Sequence, residues 1–183
     1  MAYSNARIFL VKILKMLRTK DFSTDNKCSL HINISFDKSV NKPLTNLNIL
    51  KLILNIDEEQ IYRYFPNREN NFYAKSVKRI IPFKSYDFTD QSINILQNSL
   101  ELPDDKYFGV NFLNISEGRL EFRYIGDENY EEHQDEIFEL MDYFIELTYN
   151  CIDSKLDENE IENLTDYLSS NINRFKKFNK LDN

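Results

Sequence analysis

The run Leu30-His31-Ile32-Asn33-Ile34-Ser35-Phe36 constrains this chain more than any other stretch. Leu30, Ile32, Ile34 and Phe36 alternate with His31, Asn33 and Ser35, the period-two pattern of a strand with one buried and one wet face. A second β-rich signal lies far downstream. Tyr107–Ile115 and Arg119–Ile125 are joined by Ser116-Glu117-Gly118, which reads as a hairpin with glycine at the positive-φ position. Leu120, Phe122 and Tyr124 share one face of its second strand, and Glu121 and Arg123 share the other.

Helical periodicity fills most of the remainder. Ser4 to Thr19 is amphipathic, with charges at three- and four-residue steps. Helical stretches follow over Leu44–Ile56, Asp57–Tyr64 (ended by Pro66) and Asn71–Ile80. Pro82–Asp90 reads as loop, and Gln91–Leu100 as a short helix. An acidic helix runs from Asp127 to about Asn150, with Ile137, Leu140, Met141, Phe144, Ile145 and Thr148 facing inward. A last helix over Glu158–Phe178 packs through Ile161, Leu164, Leu168 and Ile172. The expected fold is therefore α+β, with helices layered on one face of a mostly antiparallel sheet. Residues 1–155 make the main domain, and residues 156–183 a carboxyl-terminal helix packed on or extending from it.

Composition excludes several classes. With 183 residues, 42% hydrophobic, the chain buries a core without disulfide or metal staples. Its 3 Gly and 4 Pro rule out collagen-like and low-complexity architectures. No apolar run is long enough to span a membrane. Two cysteines, Cys28 and Cys151, fit a reducing compartment, and the expected location is the cytoplasm. Residues 1–89 hold 15 Lys/Arg against 8 Asp/Glu, and residues 90–183 hold 8 against 22. The acidic second half repels the phosphate backbone that the basic half attracts, so nucleic-acid binding is disfavoured.

The chemistry available is limited. His31, Asn33 and Ser35 on one strand, and Glu121 and Arg123 on another, would form a polar floor if both faces lie away from the helices. Glu121 and Arg123 point the same way about 7 Å apart, which suits a carboxylate for a metal beside a guanidinium for phosphate or carboxylate. The same pair also suits a wet ion-pair set. Arg68, Asn71 and Lys75 cluster where a helix is expected to begin, an anion-holding arrangement or simple capping. No zinc spacing and no glycine-rich phosphate loop is present. A Cys28–His31 nucleophile pair has no third group to orient it.

Four ordered segments carry a resemblance. They are Cys28-Ser29-Leu30-His31-Ile32-Asn33-Ile34-Ser35, Phe65-Pro66-Asn67-Arg68 with Asn71-Phe72-Tyr73-Ala74-Lys75, Gly109-Val110-Asn111-Phe112, and Leu120-Glu121-Phe122-Arg123-Tyr124-Ile125-Gly126. Over about residues 3–150 the set resembles the amidoligases, carboxylate–amine ligase-like proteins often encoded by phages and bacteria. The resemblance implies a partial glutamine-synthetase-like catalytic domain and ATP-dependent activation of a carboxylate as an acyl phosphate that an amine attacks. It implies His31, Glu121 and Arg123 as catalytic residues, with Glu121 holding Mg²⁺. Asn33, Arg68, Asn71, Lys75 and Asn111 would bind substrate or nucleotide.

Two departures accompany the resemblance. The family's paired-glutamate strand is missing, and Asn33 stands where a second histidine is common. The chain is then either part of a longer ligase or a shortened relative. The alternative is a non-catalytic binding protein, a virion component or an inhibitor of a host system in the host cytoplasm. It would engage a protein partner or a second copy through the acidic helices, with Tyr167 or Phe178 as anchors.

Overall fold

The computed structural model describes residues 3–20, 22–37, 39, 42–81, 96, 100, 102 and 106–178, with side chains as far as residue 170. Among these the architecture is α+β, with five α-helices and one three-stranded antiparallel sheet. Strands β1 (Leu30–Ile34), β2 (Val110–Asn111) and β3 (Leu120–Ile125) lie in the order β1-β3-β2. The hairpin pairs β2 with β3, and β1 closes the other edge of β3. Gly118 takes φ +76° in the turn, as the hairpin reading requires. Strand β2 is far shorter than Tyr107–Ile115. The Asn111 side chain accepts from Leu113 N at 3.1 Å, and Ile115 N bonds Phe112 O at 3.0 Å, so the chain turns early.

The helices are α1 (Tyr3–Thr19), α2 (Ile49–Asn55), α3 (Glu58–Tyr64), α4 (Gln134–Cys151) and α5 (Glu158–Phe178). Local chemistry sets their starts. Asn48 caps α2 by accepting from Lys51 N at 3.0 Å, and Asp57 caps α3 by accepting from Gln60 N at 2.9 Å. Asp157 and Glu160 exchange two bonds of 2.9 and 2.8 Å, a reciprocal capping box that opens α5. Helix α4 lies against the sheet, with Phe144 stacked on Phe122 of β3 at 4.2 Å and 9°. It also packs on α1 and α2, while α5 packs on α2. Leu164 and Leu168 of α5 are fully buried in the same core.

The acidic helix begins at Gln134 rather than Asp127, after a 3-10 turn at Tyr130–Glu132, and two further helical expectations need correction. Leu44–Ile56 is not one helix: a 3-10 turn at Leu44–Asn46 is followed by Leu47 bridging Ile152, with Asn48 N bonded to Cys151 O. Asn71–Ile80 is two 3-10 turns, Phe72–Ala74 and Val77–Ile80. There Asn71 accepts from Tyr73 N and Ser76 from Lys78 N, local bonds that compete with the helical ladder. Between them Lys75 is tied to the sheet edge, its N–H to Tyr107 O and its carbonyl to Gly109 N. The loop at 82–90 and most of the helix expected at 91–100 lie outside the described residues. The inward stripe of α4 gains Leu147 and Cys151, while Ile145 is only half-buried.

A buried carboxylate fastens α3 to the sheet. Glu58 accepts from the Tyr124 hydroxyl at 2.6 Å, Ser76 Oγ at 2.6 Å and Val77 N at 3.0 Å. The Tyr124 ring lies against Gly109, where an added Cβ would fall 2.1 Å from it. We expect Tyr124→Phe to lower unfolding stability by about 1–3 kcal/mol, because it leaves Glu58 short of a donor. Gly109→Ala should cost more than Tyr124→Phe. Urea melts would show it, and unchanged midpoints would refute the role given to this knot.

Candidate functional site

The sheet turns a polar face away from α4, and register decides what meets there. Asn33 of β1 and Asn111 of β2 both stand opposite Glu121 of β3. Glu121 is thereby central. His31 Nδ1 lies 2.6 Å from Glu121 Oε1, and Asn111 Nδ2 donates to Oε2 at 2.6 Å. A carboxylate can only accept, so the imidazole carries its proton on Nδ1. Nε2 is then the acceptor, and the Ser29 hydroxyl donates to it at 3.0 Å. Ser29, His31, Glu121 and Asn111 form one continuous chain of hydrogen bonds across three strands. Asn33 is exposed beside it.

Opposite His31, β3 carries a bulge. Leu30 pairs with Ile125 but Ile32 with Phe122, so Arg123 and Tyr124 together face one residue. Strict alternation would place Arg123 in water. The bulge instead leaves it only 6% exposed, with its Nη1 donating to Lys106 O. Arg68, only 1% exposed, reaches under the strand and donates from Nη2 to Arg123 O at 2.7 Å. Nε of both arginines makes no hydrogen bond. Among the described residues neither arginine forms an ion pair. Burial and the Arg123 charge both press the Arg68 guanidinium below its usual range, with Asp127 opposing. That carboxylate is already engaged by Asn67 and by Glu128 N.

Not every expected residue joins this face. His31, Asn33, Asn111 and Glu121 do, with Arg123 and Arg68 buried beneath. Lys75 does not converge with Arg68 and Asn71 at a helix start. Its ammonium lies 4.5 Å from the Phe72 ring centroid and 5.6 Å from that of Tyr107. Asn71 caps a turn and contacts Asn26 O at 3.4 Å. It lines a cavity of about 470 Å³ with Asn26, Lys27, Asn67, Phe72 and Tyr73. Cys28 turns its thiol to Asp25 at 3.3 Å, so the nucleophile candidate beside His31 is Ser29. The alternation through Ser29, His31 and Asn33 was the signal that could have found it.

The remaining expectations concern metal and partners. Both oxygens of Glu121 accept hydrogen bonds, and among the described residues no three His, Cys, Asp or Glu side chains gather as a metal site. The donor set does not fit the Mg²⁺ site that the resemblance implies at Glu121. Tyr167 is not an exposed anchor, since it is half-buried and its hydroxyl donates to Lys78 O at 2.9 Å. The side chain of Phe178 lies outside the described residues. Among the described residues no helix is long and apolar enough to cross a membrane.

Burial first, and then the Arg123 charge, hold the His31 imidazole below its ordinary range, against the pull of Glu121. The unfolded chain therefore takes that proton first. Stability is full above the ordinary histidine range and falls as pH drops towards the depressed value. Between about pH 7 and about pH 5 the wild type should lose more melting temperature than His31→Gln. Equal losses in the two proteins would contradict this.

Compared with protein-family models, curated proteins and solved structures, the chain matches none.

Proposed function

We propose that this chain is an amidoligase-like protein whose open sheet face binds a small carboxylate- or phosphate-bearing molecule, without completing metal-assisted ligation itself. One observation carries the reading. Arg68 and Arg123 are buried side by side with no ion-paired carboxylate among the described residues. Two buried cations without ion-pair partners are costly, and an anion bound at the face above them offsets that cost. His31 gains as well, because an anion beside it opposes the two guanidiniums that disfavour its protonation. A glutamine-synthetase-like arrangement is part of the same proposal, supported by the three antiparallel strands and the helical layer behind them.

Thermal melts with inorganic phosphate, glutamate, and ATP with and without Mg²⁺ test this. A ligand at 100 times its Kd adds about 2.7 kcal/mol, or roughly 5–10 °C for a chain of this size. The shift should disappear in Arg123→Met. If none of these anions moved the melt, or if Arg123→Met kept the full shift, the anion reading would fail. A shift that required both ATP and Mg²⁺ would favour a working ligase instead.

A second reading, contact with a protein partner or a second copy, draws on α1 rather than on the acidic helices. Ile8 and Phe9, each 56% exposed, and Met16, 51% exposed, stand on that helix with exposed Lys12 and Lys15. Sedimentation of the wild type against Phe9→Glu tests self-association. An equal monomeric mass for both would remove the second copy.

A further inference from the structure

We infer that Ser29 is an acyl-accepting nucleophile, with His31 as its general base, Glu121 as the residue that positions the imidazole, and an ester as the substrate class. The geometry is that of an ordered relay. Ser29 Oγ lies 3.0 Å from His31 Nε2, and His31 Nδ1 lies 2.6 Å from Glu121 Oε1. Asn111 holds the other carboxylate oxygen at 2.6 Å, and its own Oδ1 is fixed by Leu113 N. Each group is therefore oriented by the next, which is the requirement for activating a hydroxyl nucleophile. His31, Glu121 and Asn111 lie one on each strand, where geometry is held better than on loops, and Ser29 directly precedes β1.

Two further features suit the chemistry. With the Nδ1 proton directed at Glu121, Nε2 is the ring atom that accepts from Ser29 and can take its proton. Among the described residues the two buried guanidiniums have no ion-paired carboxylate, so they supply a standing positive field for the oxyanion that forms as the hydroxyl attacks.

The step balances with water as the second substrate. Ser29 Oγ bonds to the ester carbonyl carbon while its proton passes to His31 Nε2. The bond from that carbon to the alcohol oxygen then breaks, and the alcohol leaves with the proton. Water next gives a proton to Nε2 and bonds the acyl carbon. Ser29 Oγ recovers its proton as the acid departs.

An alkyl fluorophosphonate probe on the full chain tests the inference, read by mass spectrometry. Phosphonylation should fall on Ser29 alone and be absent from Ser29→Ala. Its rate should drop by about 100-fold or more in His31→Gln and by a smaller factor in Glu121→Gln. No labelling of folded wild type, or labelling indifferent to His31→Gln, overturns the proposal. If His31→Gln proves unfolded, Ser29→Cys with iodoacetamide replaces it, and an alkylation rate no faster than that of Cys28 counts against the relay. The face is shared with the anion site, so phosphate melts of Ser29→Ala separate the two ideas. A retained shift with no wild-type labelling refutes only the nucleophile.

Discussion

The contact between Glu58 and Tyr124 sets the geometry on which the candidate site stands. A carboxylate in the first turn of α3 is sunk into the core and receives three donors, from β3 and from the turn at Ser76 and Val77. Removed from water, such a group must be fully hydrogen-bonded, so α3, that turn and the central strand are held in one arrangement. Tyr124 reaches Glu58 only because Gly109 leaves its ring room against the β2 approach. Tyr124 is also one of the two residues in the bulge. The bond that fixes it therefore helps to decide where its neighbour Arg123 points.

That placement creates an electrostatic imbalance. Arg123 leaves the wet face and joins Arg68 in the interior, where carbonyl oxygens receive their guanidiniums and, among the described residues, no carboxylate forms an ion pair with them. Above them Glu121 is held by His31 and Asn111. A carboxylate so engaged is a poor metal ligand and a good orienting group for an imidazole. The arrangement lends itself to holding anions and moving a proton more readily than to cradling Mg²⁺ against a triphosphate.

The polar face was legible in outline. Period-two alternation in Leu30–Phe36 and Leu120–Tyr124 separated wet from buried side chains, and the spacing around Gly118 located the hairpin turn. These signals are local, since a strand's side-chain direction follows from backbone pleat alone. Where alternation misled, long-range contacts had intervened. Alternation places Arg123 in water because no local pattern announces a bulge. The apolar spacing of Asn71–Ile80 is helical, yet the Lys75 backbone is claimed by Tyr107 and Gly109. The position of Tyr167 suits a surface anchor, whereas its hydroxyl is bound to Lys78 O on a distant turn.

The sequence by itself determined the class of fold, the hairpin and which strand residues could face water. All of these follow from interactions within a few residues along the chain. Only the tertiary structure decided that Asn33, Glu121 and Asn111 share one row and that His31 lies between Ser29 and Glu121. Only it decided that two arginines distant in sequence meet beneath that row. Strand register and burial are set by packing across the whole core, and residue spacing carries no record of them.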